Sequence, residues 1–316
     1  MADIVIAEFM DEAAVADLAR AYDVFFDAAL VERPQELLRR VANARALVVR
    51  NRTQVRGALL DAGARLLCVG RLGVGLDNID VQACEARGIA VFPATGANDV
   101  SVVEYVIAAA MLLLRGAFAA SGDVAAGQWP RMRLMGREIA GRRLGIIGFG
   151  AIGRALAGRA AALGMDVGAF DPLVAAGDPA WDLAERMDLD SLLAVSDVVS
   201  LHVPLTDATQ NLIDARALGL MRSDAVLINA ARGGVLDEGA LCVALRDGRL
   251  AGAALDVFAA EPMTAESGKA FAGVPNLILT PHIAGVTRES NVRIGRLVAE
   301  KVAGHLAAGR RSPPGT

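Results

Sequence analysis

From Arg143 the chain reads RLGIIGFGAIGRALAGRAAALGMDVGAFDP, and few backbone arrangements accommodate that stretch. An apolar β-type run, Leu144 to Ile147, leads straight into Gly148, Gly150 and Gly153. An alanine-rich helical stretch follows, and a second β-type run ends at Asp171, 18 residues beyond Gly153. Strand, glycine turn, helix and strand in that order predict a βαβ unit of parallel sheet. Three glycines alone signal little, but here each has a task. One makes the tight turn, one lets the backbone approach a pyrophosphate, and one permits close helix packing. The phosphate then lies at the helix N-terminus, beside Ala151 and Ile152. Asp171 can accept from both hydroxyls of an adenosine ribose and repels the additional phosphate of NADP, so the unit predicts NAD as cofactor. GRLGVG at 70–75 lacks the third glycine and is a partial decoy.

A chain of 316 residues exceeds what one core organises, so two domains are expected. DIVIAE, ALVVR, LLCVG and IAVFPA recur through residues 3–94 with helical patterns such as RPQELLRRVANA between them. That alternation predicts an α/β domain with a parallel sheet. A long helix-like segment from Asn98 to Ala119 and a Gly-, Arg- and Met-rich connector precede the second series. This series runs from RLGIIGFG through MDVGAFD, DVVSLHVP, AVLINAA and AGAALDVF to NLILTPH, the strand count of a complete doubly wound domain. TRESNVRIGRLVAEKVAGHLAAG then has no further sheet to cover and is expected to return to the first. The predicted division is 1–97 plus 286–316 for one domain and 98–285 for the other, with RRSPPGT a frayed tail.

Net charge −4 and a pI near 5.5 provide no basic field for nucleic acid. Tyr105 to Leu114 is apolar but too short to span a bilayer, and MADIVIAEF, with acids inside its apolar run, reads as a strand rather than a signal peptide. Cys68, Cys84 and Cys242 have neither metal nor redox spacing, as expected of a cytoplasmic protein without a metal site.

In open parallel sheets ligands bind outside the carboxyl ends of the strands. Arg232 follows AVLINAA, with Gly233 and Gly234 leaving room around it; Glu261 follows GAALDVF; and His282, one of three histidines, follows NLILT. Singly, each has a plainer role: a surface charge, a turn residue before Pro262, a loop imidazole. Together they match one reaction. Reducing a 2-oxo acid needs an acid to protonate the forming alkoxide, for which His282 serves, and a cation for the substrate carboxylate and carbonyl, for which Arg232 serves. A carboxylate on the far ring nitrogen, Glu261, fixes the tautomer and supports the protonated ring.

GFGAIG with Asp171, LHVPLTDATQNLI, INAARGGVLDEGAL, AALDVFAAEP and TPHIAG occur in this order, and through them nearly the whole chain resembles the D-isomer-specific 2-hydroxyacid dehydrogenases. The resemblance implies Arg232, Glu261 and His282 as catalytic residues and Asp256 as a contact to the nicotinamide amide. It further implies that Val203, Pro204, Ala230 and Ala231 border the cofactor. The implied architecture is a Rossmann NAD-binding domain inserted into a flavodoxin-like substrate domain, both doubly wound, closing over a small 2-hydroxy or 2-oxo acid. The helical region after Asn98 is implied to help build a homodimer.

Substrate choice is expected in the first domain. Arg50 stands at the end of ALVVR; Arg71 stands in VGRLGVG, where Gly73 and Gly75, with Val74 between them, can offer amides to a carboxylate. WPRMRLMG adds Arg131 and Arg133. Only Lys269 and Lys301 are lysines among the 32 basic residues, so each arginine is discounted for a compositional bias. These stretches resemble the phosphoglycerate dehydrogenase pattern, in which arginines face a distal anion. IAEFMDEAAV, with VRNRT and GRLGVGLDNID, resembles more narrowly the branch acting on (S)-sulfolactate, whose spatial arrangement is that of a D-hydroxy acid. The alternatives are 3-phosphoglycerate dehydrogenase, a hydroxypyruvate or glyoxylate reductase and, from another class, an NAD-sensing corepressor that works by partner recognition. Formate dehydrogenases resemble this fold with glutamine in place of Glu261. No regulatory domain is expected after Thr316.

Overall fold

The recurrent β-type runs all become parallel strands in the computed structural model, which describes residues 2–308. The chain divides into two compact units: residues up to Asn98 together with those from Val286 on, and Asp99–Gly285. The tail RRSPPGT lies outside the described residues.

The first unit holds β1 (Ile4–Ile6), β2 (Val24–Phe26), β3 (Ala46–Val49), β4 (Cys68–Arg71) and β5 (Ala90–Pro93). Their order is β2-β1-β3-β4-β5, with every pair parallel. This is the flavodoxin-like order, which reverses between β1 and β3. Because side chains alternate along a strand, Ile4 and Ile6 enter one core and Val5 the other. The first of these cores is closed by Ile294, Val298, Val302 and Leu306 of the helix Arg288–Ala308. Gly70 permits that seat: a Cβ there would lie 2.6 Å from Val298 Cγ1.

The second unit contains β6 (Arg143–Ile147), β7 (Asp166–Phe170), β8 (Glu185–Arg186), β9 (Val198–Leu201), β10 (Val226–Asn229), β11 (Gly252–Leu255) and β12 (Leu277–Leu279). The order β12-β11-β10-β9-β6-β7-β8 is parallel throughout and reverses between β6 and β9, the doubly wound Rossmann pattern. β9, β10 and β11 are buried along their whole length, as strands covered on both faces must be. The apolar stretch after Asn98 is the helix Asp99–Arg115, whose Val102, Val103, Val106 and Ala110 enter the core. Among the described residues no single helix is long and apolar enough to cross a membrane. Between this helix and β6 the chain exposes Phe118, Trp129, Met132 and Met135 at 68–78% of their surface.

Candidate active site

At the reversal between β6 and β9 stands the glycine turn. Gly148 has φ +95°, open to glycine but strained for other residues, and a Cβ there would lie 2.6 Å from the His202 carbonyl oxygen. A Cβ on Gly153 would lie 2.4 Å from the Gly148 oxygen, so this glycine sets the helix–turn contact. Gly150 meets nothing within 4 Å and precedes the helix Ala151–Ala162. Between the glycines, buried Phe149 stacks on Trp181 at 5.1 Å. The Phe149 N–H donates to Asp171 Oδ2 (2.8 Å) and the Leu173 N–H to Oδ1 (2.9 Å). Each carboxylate oxygen keeps acceptor capacity for a ribose hydroxyl. An open glycine at a helix N-terminus with a half-buried acid one strand away fits a dinucleotide. Val203 and Pro204 follow β9 and are partly exposed beside the turn, with Val203 Cγ1 2.8 Å from the Cβ position of Gly148.

The three adjacent strands β10, β11 and β12 lead to Arg232, Glu261 and His282 in turn. Buried Asn229 shapes the first turn, accepting from the Ala231 N–H (3.0 Å) and donating to the Arg232 oxygen (3.0 Å). Ala230 is half-buried and Ala231 buried in this turn. Gly233 presses against the second loop, where a Cβ would lie 1.9 Å from the Phe258 oxygen; its smallness serves this contact. His282 Nδ1 lies 2.7 Å from Glu261 Oε2, and Glu261 Oε1 accepts from the Phe258 N–H at 2.9 Å. Partial burial pushes the Glu261 carboxyl up, but the bonds from His282 and Phe258 outweigh it and hold the group below the ordinary glutamate value. Beside an ionised carboxylate Nδ1 carries a proton, leaving Nε2 as the working nitrogen.

His282 sits at φ +53°, uncommon for a side chain of its size. A network at the foot of its turn holds it there. The His282 N–H donates to the Asp256 carbonyl at 2.7 Å. The Asp256 carboxylate, 1% exposed, accepts from the Thr280 hydroxyl (2.6 Å) and the N–H groups of Ile283 and Ala284 (2.8 Å each). Thr280 has one hydroxyl proton, committed to Asp256, so Tyr105, 2.6 Å away, donates to Thr280. Burial pushes the Tyr105 phenol up, which keeps it a donor. The sequence singled out Asp256 but not this brace, whose members are 24 and 175 residues apart.

In the first unit, Glu8 follows β1 and Arg50 follows β3, at the reversal of that sheet. Glu8 is 4% exposed and accepts the N–H groups of Arg50 (2.8 Å), Thr53 (3.0 Å) and Arg52 (3.1 Å). Asn78 Nδ2 secures the other edge of this loop through the carbonyls of Arg50 (3.1 Å) and Thr53 (2.7 Å). Arg50 Nη2 donates to Asn291 Oδ1 at 3.0 Å. Burial lowers the pKa of the Arg50 guanidinium, and the Glu8 charge opposes that shift.

Arg71 ends β4, next to β3 in the sheet. It is buried, its Nε donates to the Gly75 oxygen at 2.9 Å, and its guanidinium covers Gly73. The Gly73 N–H donates to the Arg71 oxygen at 2.8 Å, and Val74 and Gly75 beyond it are half-buried. Arg131 stands exposed on the stretch before β6, and Arg133 pairs with Asp123. The described residues contain no group of three His, Cys, Asp or Glu side chains able to hold a metal ion, and Cys68, Cys84 and Cys242 are buried free thiols.

Residues 107–284 match the family described as D-isomer specific 2-hydroxyacid dehydrogenase, NAD binding domain. The chain belongs to the D-isomer specific 2-hydroxyacid dehydrogenases, NAD-dependent oxidoreductases. It is 55% identical over 303 residues to the (S)-sulfolactate dehydrogenase of Chromohalobacter salexigens, covering 96% of this chain and 97% of that one. It is 40% identical over 268 residues to the D-3-phosphoglycerate dehydrogenase of Archaeoglobus fulgidus, covering 85% of this chain and 50% of that one. Among solved structures, the D-lactate dehydrogenase from Aquifex aeolicus complexed with NAD and lactic acid matches with a TM-score of 0.84 at 25% identity, over 96% of each chain.

Proposed function

We propose that this chain interconverts a 2-hydroxy acid carrying an anionic group on C3 with its 2-oxo acid, (S)-sulfolactate and sulfopyruvate being the pair that fits best. The single observation carrying this choice is Arg50, partly buried at the reversal of the first sheet, where open α/β sheets bind ligands. Its planar guanidinium suits a tetrahedral oxyanion. The similarity to a sulfolactate dehydrogenase supports the same choice.

Residues 98–285 serve as the NAD-binding domain and residues 1–97 with 286–316 as the substrate domain. Gly148, Gly150, Ala151, Ile152 and Gly153 receive the pyrophosphate, and Asp171 receives the adenosine ribose. Val203, Pro204, Ala230 and Ala231 border the nicotinamide end, where Asp256, with one acceptor position left over from its brace, takes the carboxamide. NADH bound there supplies the hydride for C2. Arg232 holds the substrate carboxylate and polarises the 2-oxo group. His282 Nε2 gives its proton to the forming alkoxide, while Nδ1 keeps its proton against Glu261. Val74 and Gly75 meet the substrate from the first domain. The exposure of Phe118, Trp129, Met132 and Met135 on one stretch before β6 supports a homodimer that would cover them. Three free thiols support a cytoplasmic setting.

The test is NADH oxidation with sulfopyruvate, phosphohydroxypyruvate, hydroxypyruvate and glyoxylate. Sulfopyruvate is expected to have the highest kcat/KM, and NADH to outperform NADPH because of Asp171. Preference for phosphohydroxypyruvate makes the chain a phosphoglycerate dehydrogenase with the same anion grip. Preference for glyoxylate removes the distal anion altogether, and no turnover of any of the four overturns the proposed substrate class.

A further inference from the structure

The Arg50 guanidinium makes a single side-chain hydrogen bond among the described residues, to Asn291 Oδ1. Four of its five N–H donors therefore remain. Asn291 sits in the first turn of the helix Arg288–Ala308. That turn is fixed locally: Thr287 and Ser290 exchange side-chain-to-backbone bonds of 2.9 and 3.0 Å, and the Asn291 N–H reaches the Thr287 oxygen at 3.1 Å. With its Oδ1 turned to Arg50, the amide presents Nδ2 with its two N–H donors beside the guanidinium; the described residues provide no partner for them. Neighbouring Arg293 is committed elsewhere, its Nε donating to the Ala97 oxygen at 2.9 Å.

The residue type is informative. A first-turn position ordinarily favours a carboxylate through the helix dipole. An aspartate here would pair with Arg50 and cancel the charge the substrate needs. An amide orients Arg50 without neutralising it. Meanwhile Glu8 and Asn78 hold the Arg50 loop by its N–H and C=O edges, so the guanidinium and the amide form a preorganised donor pair.

We infer that Asn291 determines substrate specificity: its carboxamide holds Arg50 by Oδ1 and offers Nδ2 to the distal oxyanion of the substrate. This rests on the distal-anion choice proposed above, and sulfonate and phosphate share the chemistry it recognises.

The experiment measures kcat and KM for sulfopyruvate, phosphohydroxypyruvate and glyoxylate with NADH, and the melting temperature, in wild type, Arg50→Ala, Asn291→Ala and Asn291→Asp. Asn291→Asp is expected to lower kcat/KM for the better C3 anion relative to glyoxylate by roughly tenfold or more, mainly through KM, and Asn291→Ala by roughly threefold to tenfold. A purely structural asparagine predicts the opposite for Asn291→Asp: an unchanged substrate ratio and an equal or higher melting temperature. If both Asn291 variants keep the wild-type ratio within about twofold while Arg50→Ala lowers it, Asn291 has no part in recognition and the distal-anion choice stands. If Arg50→Ala lowers all substrates alike, that choice itself fails. Should Asn291→Asp not fold, the ratio in Asn291→Ala decides alone.

Discussion

The two constellations of this molecule are built in different ways. In the Asp99–Gly285 unit the candidate groups lie within a few residues of a strand end, and backbone geometry there sets them, with a glycine at φ +95°, a histidine at φ +53° and a turn braced by Asn229, although Asp256 and Tyr105 brace the histidine turn from farther away in sequence. In the first unit Arg50 is aimed by side chains remote in sequence, with Glu8 42 residues away and Asn291 241 away. In the proposed function, the chemistry common to all 2-hydroxy acids thus falls to the second unit. In that proposal the choice of acid falls to long-range side-chain bonds, which single substitutions can rewrite without touching the proposed reaction.

That contrast can be broken experimentally. The largest effect is expected from His282→Ala, a loss on the order of 10²- to 10⁴-fold in kcat, equal for sulfopyruvate and glyoxylate, with NADH binding retained by fluorescence titration. A loss confined to one substrate would move His282 from chemistry to recognition. Arg50→Ala should instead divide the substrates, reducing kcat/KM for sulfopyruvate roughly tenfold to hundredfold more than for glyoxylate. An equal fall would make Arg50 part of the common machinery and erase the distinction.

The smallest effect sharpens the first constellation from within. The bonds to Glu261 hold its pKa below the ordinary value, so in the folded protein it stays an anion to lower pH than a free glutamate. Its stabilising contribution is present above the unfolded pKa and lost only as pH drops through the lower folded value. Glu261→Gln removes the charge that supports the protonated ring and should move the pH–rate profile of reduction to lower pH, with a smaller loss at the optimum than His282→Ala. An unmoved profile would leave Glu261 as the partner of Phe258 alone.

The same locality explains what could be read before the structure. Both sheets, the return of the last helix and the strand-end positions of Arg232, Glu261 and His282 depend on periodicity and punctuation along the chain, which sequence displays directly. Whether an arginine ending a strand points outward or folds into its own loop depends on neighbours in space. Arg50 and Arg71 end adjacent strands and look alike in sequence, yet one donates to Asn291 and the other to Gly75. The family resemblance pointed to Asp256, but its bonds to the turn at 280–284 were not legible, because β11 and β12 had first to be set side by side.

The seat of the helix Arg288–Ala308 on the first sheet also has a consequence during synthesis. The sheet's last strand ends at Pro93, yet the residues closing one of its faces begin at Arg288. At about 5–20 residues per second the ribosome needs on the order of ten to forty seconds to deliver them. For that interval Ile4, Ile6 and Val48 lack the apolar cover that Val298 and Val302 later provide. That face of the first sheet is therefore the part of this chain that waits longest for its cover, and its core cannot close before Ile294, Val298, Val302 and Leu306 have left the ribosome.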